Sequence, residues 1–153
     1  MMQALQLFEK FKNIPGGRKL FSIGLCQKAP YFSSIHPLIE DLKPNYVRVS
    51  IKKRRSVENH LKTVHAIAMC NMAELAGGLM TDVSIPKGAR WIPAGMTVAY
   101  VKKATTDLVA VANGDAVDWT TNGNIVVPVT VTDTQNNVVF TAQITMNLKQ
   151  PKA

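Results

Sequence analysis

Apolar residues near the N-terminus follow helical spacing. The pattern covers residues 5–11, breaks at Pro-Gly-Gly 15–17, and resumes over residues 18–28 until Pro30. We therefore predict two short helices there, followed by a short extended piece over residues 31–35.

From Tyr46 the spacing changes to two. Val47, Val49 and Ile51 alternate with polar residues, which predicts a half-buried strand. A basic loop follows. Thr63 is then a plausible N-cap for a helix over residues 63–81 whose surface is apolar nearly all round, and such a helix is buried on most sides.

The second half of the chain alternates like antiparallel sheet. Strands are predicted over residues 89–92, 96–103, 107–112, 124–133 and 138–148, with turn sequences between the later ones. Pro128 within one of them indicates a bulge or an edge. One long buried helix followed by such strands predicts an α+β fold, in which a curved antiparallel sheet wraps a central helix.

The length of 153 residues fits one domain, and we divide the chain into an N-terminal helical extension, 1–30, and a single domain, 31–153. His65, Asn71 and Glu74 interrupt the longest apolar stretch, which argues against a membrane span. No signal peptide is apparent. Cys26 and Cys70 lie in apolar helical contexts, as expected of reduced cysteines in a cytoplasmic protein.

The formal net charge is +8, and much of it is clustered at residues 52–55 and at Lys102 and Lys103. Solvated surface charge is one explanation. An anionic partner is another, either nucleic acid or a phosphorylated cofactor such as coenzyme A. The chain has no zinc-ligand spacing, no aromatic RNA-binding segment and no helix-turn-helix pattern, so we expect no nucleic acid.

Glu74 is the one carboxylate between Val64 and Met80. An unpaired buried carboxylate costs several kcal/mol, on the order of a domain's whole stability. It is therefore exposed at a rim, paired with a base, or kept for work as a general base or nucleophile.

His65 lies nine residues before Glu74. Nine helical residues span ~13 Å and end on the opposite face, so one chain cannot easily bring both side chains together. Across a two-fold axis they can meet, which predicts a dimer with two composite sites. The free N–H groups of His65 and Ala66 at the helix start suit a polarised carbonyl.

Asn59, His65 and Glu74 stand in a pattern that resembles hotdog-fold thioesterases, specifically the PaaI-like branch. Its members show an Asn, then a His six residues on, then an Asp or Glu nine residues after the His. The resemblance implies a hotdog fold and hydrolysis of acyl thioesters, usually of coenzyme A. Glu74 would be base or nucleophile, Ala66 N–H would polarise the carbonyl, His65 would support the leaving sulfur, and Asn59 would position water or substrate.

The resemblance also implies a homodimer or a dimer of dimers, with coenzyme A as part of the substrate and no separate cofactor or metal. Phosphate contacts are then expected from Lys53, Arg54, Lys102 and Lys103. Met69, Met72 and Trp91 are candidates for lining an acyl tunnel, although core packing is the plainer interpretation.

Two departures leave an alternative open. The usual glycines after the His are Ala66 and Ile67, and the segment 91–94 carries no hydroxyl where family members often have Ser or Thr. The leading hypothesis is an acyl-CoA thioesterase acting on a fatty or aromatic acyl group. The alternative is a hotdog module that binds an acyl ligand without turnover. A hotdog hydratase would need an adjacent acid and His on a different loop, and we find no such pair.

Overall fold

The computed structural model describes residues 2–152, with side chains from Ala4 onward. This described part of the chain contains three α-helices and six strands. Their bounds are α1 Met2–Phe11, α2 Gly17–Lys28, β1 Leu38–Lys43, β2 Tyr46–Ile51, α3 Ala66–Ser84, β3 Arg90–Tyr100, β4 Leu108–Asn113, β5 Gly123–Thr132 and β6 Val138–Lys149. Two short 3-10 helices cover Pro30–Ile35 and Arg55–Val57.

The strands form one antiparallel sheet in the order β1-β2-β4-β5-β6-β3, and α3 packs against it. The strands β2 and β4 to β6 lie where the period-two pattern predicts them, within one or two residues at their ends. The expected α+β hotdog arrangement, with a long central helix inside a curved sheet and helices at the N-terminus, is confirmed.

The central helix is buried because its apolar side chains cover almost every direction. Met72, Ala73 and Ala76 are fully buried, and the helix packs against the sheet and against α1. Gly77 lets the helix approach the sheet, since a Cβ there would lie 2.8 Å from Ile144 Cδ1. The close approach places the helix inside the curve of the sheet.

Two local predictions are wrong. Residues 31–35 form a 3-10 helix rather than an extended strand, because the Ser33 and Ser34 hydroxyls donate to the carbonyls of Pro30 and Tyr31 and close the turns. The two strands predicted around 89–103 are one strand, β3. Pro93 offers no N–H, and the register shifts between Pro93 and Gly95 while pairing with β6 continues on both sides.

Pro128 lies in β5, which has neighbours on both sides. Pairing with β4 extends only to Val129, the residue after Pro128, while Pro128 itself lies opposite Gln143 of β6. The proline therefore occupies a local edge, which confirms the edge reading of this residue.

The N-terminal helices pack onto the rest of the protein. Phe8 and Phe21 are buried edge to face, with ring centroids 5.2 Å apart. The buried Ser22 hydroxyl accepts the N–H of Ile39 at the start of β1, which ties α2 to the sheet. The division at residue 30 into an extension and a domain stays a prediction.

Candidate functional site

The central helix begins with His65 as its N-cap. The His65 backbone is extended, and its Nδ1 accepts the N–H of Ile67 at 3.0 Å. With Nδ1 used as an acceptor, the ring proton of the neutral form is assigned to Nε2, which is free for a ligand. The prediction of Thr63 as N-cap is wrong, because the Thr63 side chain is bonded to Asn59 instead.

Asn59 closes the loop that precedes this cap. Its Oδ1 accepts the N–H groups of Leu61 and Thr63 at 2.9 and 3.2 Å, and its Nδ2 donates to Thr63 Oγ1 at 2.9 Å. These bonds hold a tight turn in which Lys62 has a positive φ of 58°. Asn59 therefore shapes the loop that delivers His65, and its contact with water or substrate stays a prediction.

The backbone at the helix start is only partly free. The His65 N–H donates to the Val57 carbonyl at 2.8 Å, so the expectation that it is free is wrong. Among residues 2–152 no acceptor is found for the Ala66 N–H. Of the two N–H groups proposed to polarise a carbonyl, only that of Ala66 fits.

Glu74 lies on the exposed side of α3, where its flanking residues Ala73 and Leu75 are buried. The carboxylate is therefore accessible, as in the first of the three interpretations given for Glu74, an exposed position at a rim. It lines a cavity of about 560 Å³ between α3, the N-terminal helices and β3. Because Glu74 is exposed beside an apolar cavity, its carboxylate can contact a ligand there without the cost of burying an unpaired charge.

His65 lines a different cavity. That cavity measures about 340 Å³ and is bounded by the first 3-10 helix, by residues 56–58 and by the start of α3. Asn71 is buried beside it and donates to Ser34 Oγ at 3.0 Å, which fastens the 3-10 helix to α3. One protomer thus separates His65 from Glu74, as their nine-residue spacing predicts.

The basic residues proposed for phosphate contacts differ in their availability. Lys53 Nζ is paired with Glu58 at 2.6 Å, and Arg54 donates to the Ser34 carbonyl at 3.2 Å. Lys102 and Lys103 are exposed after β3. Of the four, these two are the most accessible to an anion.

Met72 is fully buried in the core and lines neither of these two cavities. Its side chain packs in the core, as the plainer of the two interpretations of Met72 predicts. The larger cavity instead uses residues that sequence patterns did not single out, from both N-terminal helices and from Pro93. Trp91 also lines it, and Trp91 Nε1 donates to Asp82 at 3.1 Å. Trp91 is one of the acyl-tunnel candidates from the sequence, but nothing in local spacing brings α1 to β3, so no sequence signal could have identified the contribution of the N-terminal helices.

Within residues 2–152 no cluster of three His, Cys, Asp or Glu side chains is placed to hold a metal ion. In the same range no helix is long and apolar enough to cross a membrane.

Several solved structures share this fold. A structural-genomics crystal structure with no function in its name is 50% identical, with a TM-score of 0.87 over 97% of this chain and 99% of that one. A Pseudomonas aeruginosa protein of unknown function, described as a "probable thioesterase", is 25% identical, with a TM-score of 0.73 over 81% and 89%. A thioesterase from Haemophilus influenzae is 12% identical, with a TM-score of 0.72 over 82% and 85%, a likeness of fold alone.

None of the curated protein sequences matches the chain significantly. The family described as "Domain of unknown function (DUF4442)" matches residues 17–148, from the start of α2 to the end of the sheet. The chain therefore belongs to the DUF4442 family, and its fold is that of the hotdog thioesterases.

Proposed function

We propose that this protein hydrolyses acyl thioesters of coenzyme A. The observation that carries the proposal is the accessible carboxylate of Glu74, on the central helix of a hotdog fold, at the margin of an apolar cavity. The 25% identical Pseudomonas aeruginosa protein, described as a probable thioesterase, supports the same reaction class.

Two routes use this carboxylate. As a general base, Glu74 takes a proton from water and the water oxygen bonds to the thioester carbon. The C–S bond then breaks, and Glu74 returns the proton to the leaving thiolate, which releases the thiol and the acid. As a nucleophile, the Glu74 oxygen attacks the carbon and displaces the thiolate, and water then cleaves the resulting anhydride. In both routes negative charge develops on the carbonyl oxygen, where a backbone N–H such as that of Ala66 stabilises it.

The site is completed by a second copy of the chain in this proposal. Edge strand β3 exposes Ile92, Met96 and Tyr100, and an unpaired edge with apolar side chains favours pairing with another strand. A dimer formed along β3 would bring the His65 and Ala66 of one protomer toward the Glu74 of the other. Two such dimers could associate further into a tetramer.

Phosphate groups of coenzyme A would meet the exposed basic residues. Lys102 and Lys103 follow directly on β3, the edge proposed for the dimer. Arg54, and Lys53 if its pair with Glu58 opens, would contribute from the loop near His65. Such a site would be on the surface of the dimer.

The first test is release of coenzyme A thiol from a panel of acyl-CoAs. Glu74→Gln keeps the shape of the side chain and removes the base, so kcat should fall at least about 100-fold, in the range of lost acid–base catalysis. Glu9→Gln, which changes an exposed glutamate on α1 paired with Lys12, is the matched control and should keep full activity. Full activity in Glu74→Gln would refute the mechanism.

The second test mixes two inactive variants. In a composite site, a heterodimer of Glu74→Gln and His65→Ala subunits holds one intact site and one doubly changed site. Random mixing makes about half of the dimers heterodimers, so about one quarter of wild-type activity should return. No recovery after verified subunit exchange would place both residues in the same protomer's site, whereas an active His65→Ala homodimer would place His65 outside it.

The alternative is an acyl-ligand binding module without turnover. Ile67, which replaces a glycine of the thioesterase pattern, is 54% exposed beside His65 and narrows the approach to the Ala66 N–H. Calorimetric binding of an acyl-CoA with no thiol release over hours would select this reading.

A further inference from the structure

The cavity beside Glu74 has walls from distant parts of the chain. Helices α1, α2 and α3 line it, together with Trp91 and Pro93 of β3. Most of the lining side chains are apolar, among them Leu7, Phe21, Leu25, Phe32, Leu75 and Leu79. A ligand in this cavity is therefore recognised by apolar contact rather than by a hydrogen-bond pattern.

The cavity runs lengthwise along the helix. Glu74 and Asp82 both line it, and eight helical residues separate them by ~12 Å. Its volume of about 560 Å³ lies within the usual range of ligand pockets, roughly 300–1,000 Å³. A long cavity of this volume suits a medium-length chain better than an acetyl group or a single aromatic ring.

The charged groups are few and restrict the ligand further. Glu74 and Asp82 are acidic, Asp82 is engaged by Trp91, and Lys28 is the one cation in the lining. A hydroxyl or carboxyl group within the apolar stretch of the cavity would lose its hydration among Leu and Phe side chains, at a cost of several kcal/mol in the worst case, and Lys28 is the lining residue that would pair with a carboxylate. A plain hydrocarbon tail meets no such cost.

Small residues in the N-terminal segment leave the space open. Ala4, Gly24 and Ala29 line the cavity, and a Cβ built on Gly24 would have no atom within 4 Å. The width of the cavity is therefore set by residues of α1, α2 and the turn after α2, which pack over the hotdog core.

We infer that this cavity binds the linear aliphatic acyl chain of the substrate, with the N-terminal helices as its side wall. The inference rests on the proposed thioesterase function for the group attached to the chain. The acyl carbonyl lies at Glu74, and the methyl end points along α3 toward Asp82.

The experiment measures binding, so that it does not depend on turnover. Affinities of hexanoyl-, decanoyl- and benzoyl-CoA are determined by calorimetry on the Glu74→Gln protein. Each added methylene should tighten binding roughly fourfold until the cavity is full, from the transfer free energy of a buried methylene. Gly24→Phe and Ala29→Phe, two independent ways to place a ring in the cavity, should each weaken decanoyl-CoA much more than hexanoyl-CoA.

Gln27→Phe is the matched control, because it places the same ring on the same helix outside the cavity lining. Equal decanoyl-CoA affinity in all three ring variants would overturn the pocket assignment, even if the enzyme hydrolyses thioesters. Benzoyl-CoA binding more tightly than decanoyl-CoA would overturn the aliphatic class.

Failure of the proposed function gives a different result. If the wild type releases no thiol but binding still tightens with chain length and is lost in Gly24→Phe and Ala29→Phe, the acyl pocket stands and the hydrolase does not. Absence of any chain-length dependence in a folded Glu74→Gln protein would overturn the inference directly.

Discussion

The packing of the N-terminal helices can be tested through Phe8. Its side chain is 1% exposed and lies edge to face with Phe21, whose ring is tilted 72° to it. Truncation of a buried Phe to Ala costs about 3–5 kcal/mol, of which the aromatic pair accounts for about 0.5–1.5 kcal/mol. Since a domain of this kind has a free energy of unfolding of about 5–15 kcal/mol, Phe8→Ala should remove a large part of it.

Urea unfolding at fixed protein concentration measures this change, because any dimer makes stability depend on concentration. Leu20→Ala on α2 is the control. Its side chain is 56% exposed, so the free energy of unfolding should change by only about 0.5 kcal/mol. A loss below about 1 kcal/mol for Phe8→Ala, or a separate early transition in the wild type, would show that α1 does not share the core. The acyl pocket would then lack its wall.

Two further substitutions test the packing of α3 and the surface charges. Gly77→Ala places a Cβ 2.8 Å from Ile144 Cδ1 and should lower the free energy of unfolding by about 1–3 kcal/mol. In the control Gly24→Ala the new Cβ meets no atom within 4 Å, so this change should raise the free energy of unfolding by up to about 1 kcal/mol. Equal effects of the two substitutions would contradict the packing of α3 against the sheet. The Asp107 carboxylate accepts hydrogen bonds from the Lys52 side chain and from the Lys53 N–H, and these hold the pKa of Asp107 below its usual value. The ionised Asp107 therefore contributes to the free energy of unfolding above its unfolded pKa of about 3.9, and this contribution is lost as the pH falls below that value toward the lower pKa of the folded state. The stability difference between wild type and Asp107→Asn, measured by urea unfolding from pH 7 to pH 3, should shrink toward acid pH, and a constant difference would refute this.

Local pattern determined much of the candidate site. The spacing of Asn59, His65 and Glu74 places a loop residue, a helix start and a mid-helix carboxylate in order along the chain. Two of these positions are explained by short-range bonds: Asn59 to Thr63 and its neighbours, and His65 to the Ile67 N–H. Contacts within a few residues are what a sequence pattern encodes most directly.

Tertiary structure decided which groups are accessible. Glu74 and Met72 both lie in an apolar helical run, yet one is exposed at a cavity and the other is fully buried, because the sheet covers only part of the helix surface. The Ser33 and Ser34 hydroxyls turned an expected strand into a 3-10 helix through bonds that compete with extended backbone.

The sequence alone therefore determined the class of fold and the order of the site residues, since the periods of 3.6 and 2 and the cap spacings are local properties. Only the folded chain determined that α1, α2 and β3 line an apolar cavity beside Glu74, because residues as far apart in the sequence as Leu7 and Trp91 meet there. The same long-range packing separates Glu74 from His65 within one protomer. It also makes β3 an edge strand with Ile92, Met96 and Tyr100 exposed, because the order of strands in a sheet depends on long-range pairing that neither period predicts.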